Sequence, residues 1–149
     1  RNIVNSLYIT PEELEDLVWE REKRYDAIRA KEARYEEFET ADADYIIAAY
    51  GTTARIAKNA VKALRAEGIK AGLIRPITLG PFPAEAFNKA ADTAKAFLSV
   101  EMSTGQMVED VKLAVNGKKD VFFFGRTGGM VPTPAEIVAK IKEIDGGVR

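Results

Sequence analysis

A short apolar run followed by a glycine and an amphipathic helix, residues 44–68, constrains the fold most strongly. The run from Tyr45 to Tyr50 is too short for a buried helix and ends at Gly51, which indicates a strand buried on both faces. After the glycine, apolar residues recur at helical spacing as far as Gly68, which is typical of a helix closed by a glycine. A buried strand that leads into a helix and then into another strand begins a βαβ unit, so we expect a parallel sheet.

The same alternation continues along the chain and predicts an α/β fold. Apolar segments indicate further strands at residues 69–75, 96–100 and 121–124, with helices between them. A capping box, Thr133-Pro134-Ala135-Glu136, predicts the start of a final helix. Strands that alternate with helices predict a three-layer α/β/α sandwich with a mainly parallel sheet.

A long charged helix precedes this alternation. A capping box at residues 10–13 predicts its start, and a narrow apolar stripe extends it to about Glu39. So narrow a stripe indicates an arm that lies on another surface, either that of its own domain, which we prefer, or that of a partner subunit. We therefore divide the chain into a linker and helical arm, residues 1–40, and an α/β domain, residues 41–149.

Two missing residue types argue against several classes of enzyme. The 149 residues include no Cys and no His, so the chain supplies no thiolate for an iron–sulfur cluster and neither the usual neutral-pH base nor the commonest zinc ligand. The net charge of −1 gives no general attraction to nucleic acid or to anionic membranes. The lack of a long apolar stretch or a signal peptide predicts a cytoplasmic protein. Because the sequence opens with Arg1 and not Met, we expect a piece of a longer protein.

In open parallel sheets, ligands and partners meet the loops beyond the carboxyl ends of the strands, and the first candidate cluster there is residues 51–55. The free N–H groups of a helix start and the Arg55 side chain both favour an anion, with Thr52 beside them. The cluster lacks the glycines of a dinucleotide-binding loop and the lysine of a Walker A loop. The simpler alternative is a tight turn at Gly51 with a threonine cap.

Three further clusters place charged side chains at predicted strand ends. Arg75 ends one strand, Glu101 ends the next and precedes a helix start at Gln106, and Arg126 lies with Gly128 in a glycine-rich loop. Glu101 has no second acid beside it for paired-carboxylate catalysis, so we prefer an ion pair with Arg75 or Arg126. We predict no catalytic residue and no metal ligand in the chain. The candidates for cofactor binding are Thr52, Arg55, Arg126 and Gly128, and those for a subunit interface are Arg75, Glu101, Gln106 and Arg126.

Together the four clusters resemble a known family. They read AYGTTARIA at 49–57, LIRPITLGPFP at 73–83, EMSTGQM at 101–107 and GRTGG at 125–129. In this order they are similar to the 2-oxoacid:ferredoxin oxidoreductases, in the C-terminal part of the alpha-type subunit that carries the thiamine-pyrimidine half. Residues 25–39 look more like the branched-chain type, which acts on 2-oxoisovalerate (3-methyl-2-oxobutanoate), than the pyruvate type. Gly80 departs from the pattern, where a bulky residue is expected.

The resemblance implies a fold like the C-terminal domain of transketolase, with a mixed sheet of about five strands of which one is antiparallel. It implies oxidative decarboxylation of a 2-oxoacid to an acyl-CoA, with electrons passing through iron–sulfur clusters to ferredoxin. The implied cofactors are thiamine diphosphate, Mg, iron–sulfur clusters and coenzyme A in the parent complex, with none bound within this fragment. The implied partners are sister subunits of a hetero-oligomer, and the implied role of the fragment is assembly.

Two alternatives remain open at this stage. The C-terminal domain of a β-type subunit of a lipoamide-linked 2-oxoacid dehydrogenase shares the fold, but it would be expected to carry a His near Glu101. A stand-alone module that binds coenzyme A or a nucleotide would be stabilised by coenzyme A, because a ligand that binds only the native state raises its stability.

Overall fold

A computed structural model describes residues 7–147; residues 1–6 of the predicted linker and residues 148–149 lie outside this range. The helices are α1 (Pro11–Glu32), α2 (Gly51–Ala66), α3 (Ala84–Ala90), α4 (Met107–Val115) and α5 (Pro134–Asp145). The strands are β1 (Tyr35–Phe38), β2 (Tyr45–Ala48), β3 (Ala71–Pro76), β4 (Ala96–Glu101) and β5 (Asp120–Gly125). Each helix of this described part is too short or too polar to cross a bilayer.

The strands form one mixed sheet in the order β1-β3-β2-β4-β5. β2, β3, β4 and β5 are parallel to one another, and β1, the one antiparallel strand within residues 7–147, lies beside β3. The central strand β2 is buried at every position, as its uninterrupted apolar run predicts. The prediction of a mainly parallel sheet of about five strands is therefore confirmed.

Helices cover both faces of the sheet and give the three layers that the sequence predicts. Neighbouring residues of β2 point to opposite faces, so Ile47 packs in one core and Ile46 in the other. The first core contains Leu64 of α2 and Ile141 of α5, and the second contains Phe87 of α3. A five-stranded mixed sheet with one antiparallel strand is the arrangement that the resemblance to a transketolase C-terminal domain implies.

The prediction that the first helix continues to about Glu39 is wrong, because part of this segment forms the fifth strand of the sheet. α1 ends at Glu32, and Tyr35–Phe38 forms β1. The charged sequence of this segment is compatible with a helix, but pairing with β3 determines its conformation, since tertiary context overrides weak local propensity. The sheet therefore starts at Tyr35, within the segment 1–40 that we assigned to the arm.

α1 differs from the prediction in two further ways. Thr10 is its N-cap and Pro11 its first residue, but the Thr10 side chain makes no capping hydrogen bond, so the first predicted capping box does not form. None of the 22 residues of α1 is buried, so the expectation that this helix packs on its own domain is also wrong. Glu20 and Arg24, four residues apart on this helix, form an ion pair at 3.3 Å.

Candidate functional site

The carboxyl ends of the four parallel strands bring the predicted clusters to one edge of the sheet, which we call the carboxyl edge. It consists of the loops that follow β2, β3, β4 and β5, together with the start of β1, since Tyr35 pairs with Pro76 at the end of β3. Two groups of side chains organise this edge. One surrounds Arg75, and the other surrounds Glu101.

The first group lines a cavity of about 140 Å³ between α2 and β3, which we call the α2–β3 cavity. Its lining residues are Gly51, Ala54, Arg55, Lys58 and Arg75. α2 begins at Gly51, whose φ of 56° lies in the left-handed region that glycine adopts without steric penalty. The first turn of α2 has no acidic residue, and no side chain caps it. The alternative of a threonine cap at this turn is therefore wrong.

One carboxylate from the neighbouring strand faces the cations of this cavity. Glu36 of β1 accepts hydrogen bonds from Lys58 and, at 3.0 Å, from Arg75. The bond from Lys58, followed by that from Arg75, holds the pKa of Glu36 below its ordinary value. The Arg55 side chain makes no hydrogen bond or ion pair with any residue of 7–147. Three cations against one ionised carboxylate leave the cavity with a net positive charge.

The second group centres on Glu101, which is only 1% exposed. Glu101 ends β4 beside β2, where the strand order reverses, a position at which open sheets often bind ligands. Here the donors of the loop bind the carboxylate of Glu101 and not an external anion. The donors to its two carboxylate oxygens, at 2.8–3.0 Å, are the hydroxyls of Ser99 and Ser103 and the backbone N–H groups of Gln106, Met107 and Val108.

These donors decide the charge of Glu101. Burial alone raises its pKa, but the hydrogen bonds from Gln106, Ser103, Met107 and Ser99 outweigh burial, and the net pKa lies below its ordinary value of 4.5. The carboxylate is thus ionised at the N-terminus of α4, where the helix dipole favours negative charge. Both carboxylate oxygens of Glu101 accept hydrogen bonds from donors of the chain. Glu101 therefore stabilises the loop and has no free oxygen for a substrate.

The preferred ion pair of Glu101 with Arg75 or Arg126 is wrong. Arg75 pairs with Glu36, and Arg126 pairs with Glu136 at 3.3 Å. Glu136 forms the capping box of α5 with Thr133, as the second capping box predicts. Arg126 meets Glu101 only through the backbone, where its N–H donates to the Glu101 carbonyl oxygen at 3.0 Å.

The remaining predicted residues lie on this edge without joining either group through their side chains. Thr52 and Gly128 are exposed, in the α2 start and in the loop after β5. Gln106 exposes its side chain, while its N–H binds Glu101. The prediction of sites at these residues therefore stays a prediction.

Sequence reasoning missed Lys58 and Glu36. Lys58 follows Arg55 by three residues, a spacing that places both side chains on one face of α2, so a count of cations along that face could have identified it. Glu36 carried no comparable signal, because its position opposite Arg75 depends on the pairing of β1 with β3.

Large apolar side chains are exposed along the carboxyl edge. They occur in the loops after three strands and at the start of β1. These residues are Ile77 and Leu79 after β3, Met102 after β4, Met130 and Val131 after β5, and Tyr35. Several exposed large apolar side chains at one edge of a folded domain are typical of an interaction site, and Met and aromatic residues are enriched at interfaces.

The donor chemistry of the described part does not fit the metal groups that the resemblance implies. Within residues 7–147 no three His, Cys, Asp or Glu side chains come together as a metal site. The buried carboxylate of Glu101 already has donors at both oxygens. We therefore assign no ligand of Mg or of an iron–sulfur cluster to these residues.

Comparisons with known proteins agree on one family. Residues 43–137 match the sequence profile described as "Pyruvate:ferredoxin oxidoreductase core domain II". The chain is 44% identical over 146 residues to ketoisovalerate oxidoreductase subunit VorB of Methanothermobacter marburgensis, which covers 98% of this chain and 41% of that protein. It is 38% identical over 102 residues to 2-oxoglutarate synthase subunit KorA of the same organism, which covers 68% of this chain and 27% of that protein.

A solved structure supports the fold. The chain superposes with a TM-score of 0.75 and 22% identity on a 2-oxoglutarate:ferredoxin oxidoreductase from Magnetococcus marinus, solved with 2-oxoglutarate, coenzyme A and succinyl-CoA bound. The match covers 91% of this chain and 24% of that chain. The present chain thus spans less than half of the length of the relatives that it matches.

Proposed function

Because the chain belongs to the family of the pyruvate:ferredoxin oxidoreductase core domain II, we propose that it is part of a thiamine-dependent 2-oxoacid:ferredoxin oxidoreductase of the cytoplasm. The whole enzyme converts a 2-oxoacid and coenzyme A to an acyl-CoA and CO₂ and reduces ferredoxin. In this proposal the chain comes from the alpha-type subunit, and the cofactors are held by other parts of the complex.

The substrate that we propose is 2-oxoisovalerate. The similarity to the ketoisovalerate oxidoreductase subunit extends over nearly the whole chain, including α1, whereas that to the 2-oxoglutarate synthase subunit covers about two thirds of it. Discrimination between oxoacids resides in the pocket of the whole enzyme, so the substrate assignment rests on this similarity and not on a side chain of the described part.

The role that we propose for this part of the subunit is docking against the rest of the complex through the carboxyl edge. The observation that carries it is the distribution of exposed apolar side chains. Apart from Leu113 on α4, the large exposed ones of residues 7–147 lie on this edge or in the segment from Leu7 to the end of α1. An apolar surface of this kind is stabilised when a partner removes it from water.

α1 supports the same role. Leu14, Val18, Tyr25 and Ile28 recur at helical spacing, and each remains more than 40% exposed. The end of α1 is fixed to the carboxyl edge, because the Thr78 hydroxyl accepts a hydrogen bond from the Arg34 N–H at 2.9 Å. The apolar stripe and the carboxyl edge are thus tethered to each other, and we propose sister subunits as the partners of both.

Of the alternatives, the lipoamide-linked dehydrogenase subunit is not favoured. The loop after Glu101 has no His, and its donors serve only to bind the Glu101 carboxylate and to start α4. The matched relatives are named as subunits of a ketoisovalerate oxidoreductase and of a 2-oxoglutarate synthase, and the matched profile is that of a pyruvate:ferredoxin oxidoreductase.

The test of the proposed activity uses the full-length subunit co-expressed with its neighbouring subunits. We would measure reduction of a low-potential viologen that depends on both an oxoacid and coenzyme A. Faster reduction with 2-oxoisovalerate than with pyruvate or 2-oxoglutarate is the expected result. A preference for another oxoacid would contradict the substrate, and inactivity with all three, in a complex shown to contain thiamine and iron, would contradict the activity.

A further inference from the structure

We propose that the α2–β3 cavity binds a phosphate group of a small-molecule ligand. The cavity belongs to the carboxyl edge, but phosphate binding there does not depend on the proposed docking, and nothing in the proposed enzyme activity requires it. It combines three cations, an uncapped helix start and a buried donor without an acceptor.

The charges that line the cavity favour an anion. Arg55, Lys58 and Arg75 line the cavity, and Glu36 is the one carboxylate bonded to any of them in the described part. An isolated surface lysine or arginine normally has only solvent around it, whereas here cations from two elements line one cavity. An anion in this space would interact with all three cations at once, and Arg55 would gain the partner that residues 7–147 do not provide.

The cavity also has hydrogen-bond donors that lack acceptors. The Nε atom of Arg75 is buried and has no hydrogen-bond partner within the described part. Buried polar atoms are nearly always hydrogen-bonded, so the missing partner marks Arg75, a lining residue of the cavity, as incompletely satisfied. The uncapped start of α2 adds backbone N–H groups directed along the helix axis. Oxygens that accept from several directions satisfy such a set better than a planar carboxylate.

The volume of the cavity suits a phosphate group. A volume of about 140 Å³ lies below the roughly 300–1,000 Å³ of pockets that enclose drug-sized ligands. It corresponds to a few water molecules at about 30 Å³ each, which is enough for a phosphate group. The cavity therefore accommodates a single anionic head group, while the rest of a larger ligand would remain outside it.

The test measures phosphate binding to the full 149-residue chain by ³¹P NMR titration and by thermal unfolding, at constant ionic strength set with chloride. We expect saturable binding of inorganic phosphate that raises the melting temperature, since only the native state holds the site. Arg55→Gln should weaken binding by about tenfold or more, as expected for a lost charge-assisted hydrogen bond. Lys62→Gln is the matched control, because Lys62 is an exposed cation of the same helix that does not line the cavity.

The source of the phosphate group is distinguished by a parallel titration with ADP. Tighter binding of ADP than of phosphate supports the site and identifies a nucleotide-type diphosphate as its source. Equal or weaker binding of ADP, with phosphate bound, supports the site with a free anion as its source. Stabilisation by acetate equal to that by phosphate, equal weakening by Arg55→Gln and Lys62→Gln, or no saturable binding would each overturn the proposal.

Discussion

The carboxylate of Glu101 accepts a hydrogen bond from the backbone N–H of Val108 at 2.8 Å, although the two residues are seven positions apart. This bond closes the loop between β4 and α4 into a compact turn around a buried negative charge. The turn leaves Met102 exposed on the outer side, at the carboxyl edge. Glu101 thus shapes the loop that carries Met102, one of the exposed apolar side chains of the proposed docking surface.

Replacing Glu101 with Gln should destabilise the chain by about 2–4 kcal/mol, measured by denaturant unfolding at pH 7. Both carboxylate oxygens accept from backbone N–H groups, of Met107 and of Val108. An amide keeps one of these acceptors and directs its own N–H₂ donor at the other N–H. Glu109→Gln on the exposed side of α4 is the control, and its loss should stay below about 1 kcal/mol. Equal losses for the two variants would contradict a special role for Glu101.

The same residue predicts a dependence of stability on pH. The pKa of Glu101 is lower in the folded chain than its ordinary value of 4.5, so the folded state favours the ionised form. The stabilisation is fully present above pH 4.5 and is lost as pH falls through the lower folded pKa. The difference in unfolding free energy between the wild type and Glu101→Gln should therefore be constant from pH 7 to about pH 5.5 and shrink below pH 4.5. A difference that stays constant down to pH 3 would show that packing, and not charge, is responsible.

Replacing Glu36 with Gln should raise the affinity for phosphate by about threefold or more, because the negative charge that faces Lys58 and Arg75 is removed. Glu37→Gln is a close control, since successive strand residues point to opposite faces and Glu37 is the exposed neighbour. ³¹P NMR titration of both variants checks this. A lowered affinity in Glu36→Gln would mean that the carboxylate positions the cations and does not compete with the anion.

Arg126→Ala should weaken association with sister subunits by about tenfold, the effect of removing an interface arginine, while thermal stability changes little. Its ion pair with Glu136 is about one third exposed, and such pairs contribute at most about 1 kcal/mol. Lys95→Ala removes a comparable ion pair with Asp44 at the opposite edge of the sheet and serves as the control. Sedimentation of the co-expressed subunits measures the first effect, and thermal unfolding measures the second. A large fall in melting temperature for Arg126→Ala alone would assign Arg126 a folding role.

The central strands and their helices were predictable from the sequence because their burial is uniform. Every residue of β2 and β4 is buried, and so both strands read as mainly apolar runs, which Ser99 interrupts and Glu101 ends in β4. β1 was not predictable in this way. Its four residues include Glu36 and Glu37, and its strand partner, β3, is about forty residues away in the sequence. The charged segment therefore reads as the end of the preceding helix.

The candidate site divides in the same manner. Arg55, Arg75 and Glu101 were identified singly, because each stands where a predicted strand or helix begins or ends. The partners of these side chains were not identified. A loop can place its carboxylate against the start of the following helix, or it can leave the carboxylate free to pair with a neighbouring arginine. The geometry of the β4–α4 turn decides between these outcomes, and the sequence specifies the residues of that turn but not its path.

Association of the full-length subunit with its sister subunits tests the proposed docking role most directly. The double variant Ile77→Glu, Met130→Glu places charge on the carboxyl edge at two side chains that are each 54% exposed. Leu113→Glu is the matched control, because Leu113 is 78% exposed on α4, away from that edge. We predict that the double variant fails to co-purify with its partners, that the control assembles normally, and that both variants melt like the wild type. Normal assembly of the double variant, or equal loss in the control, would contradict docking through the carboxyl edge.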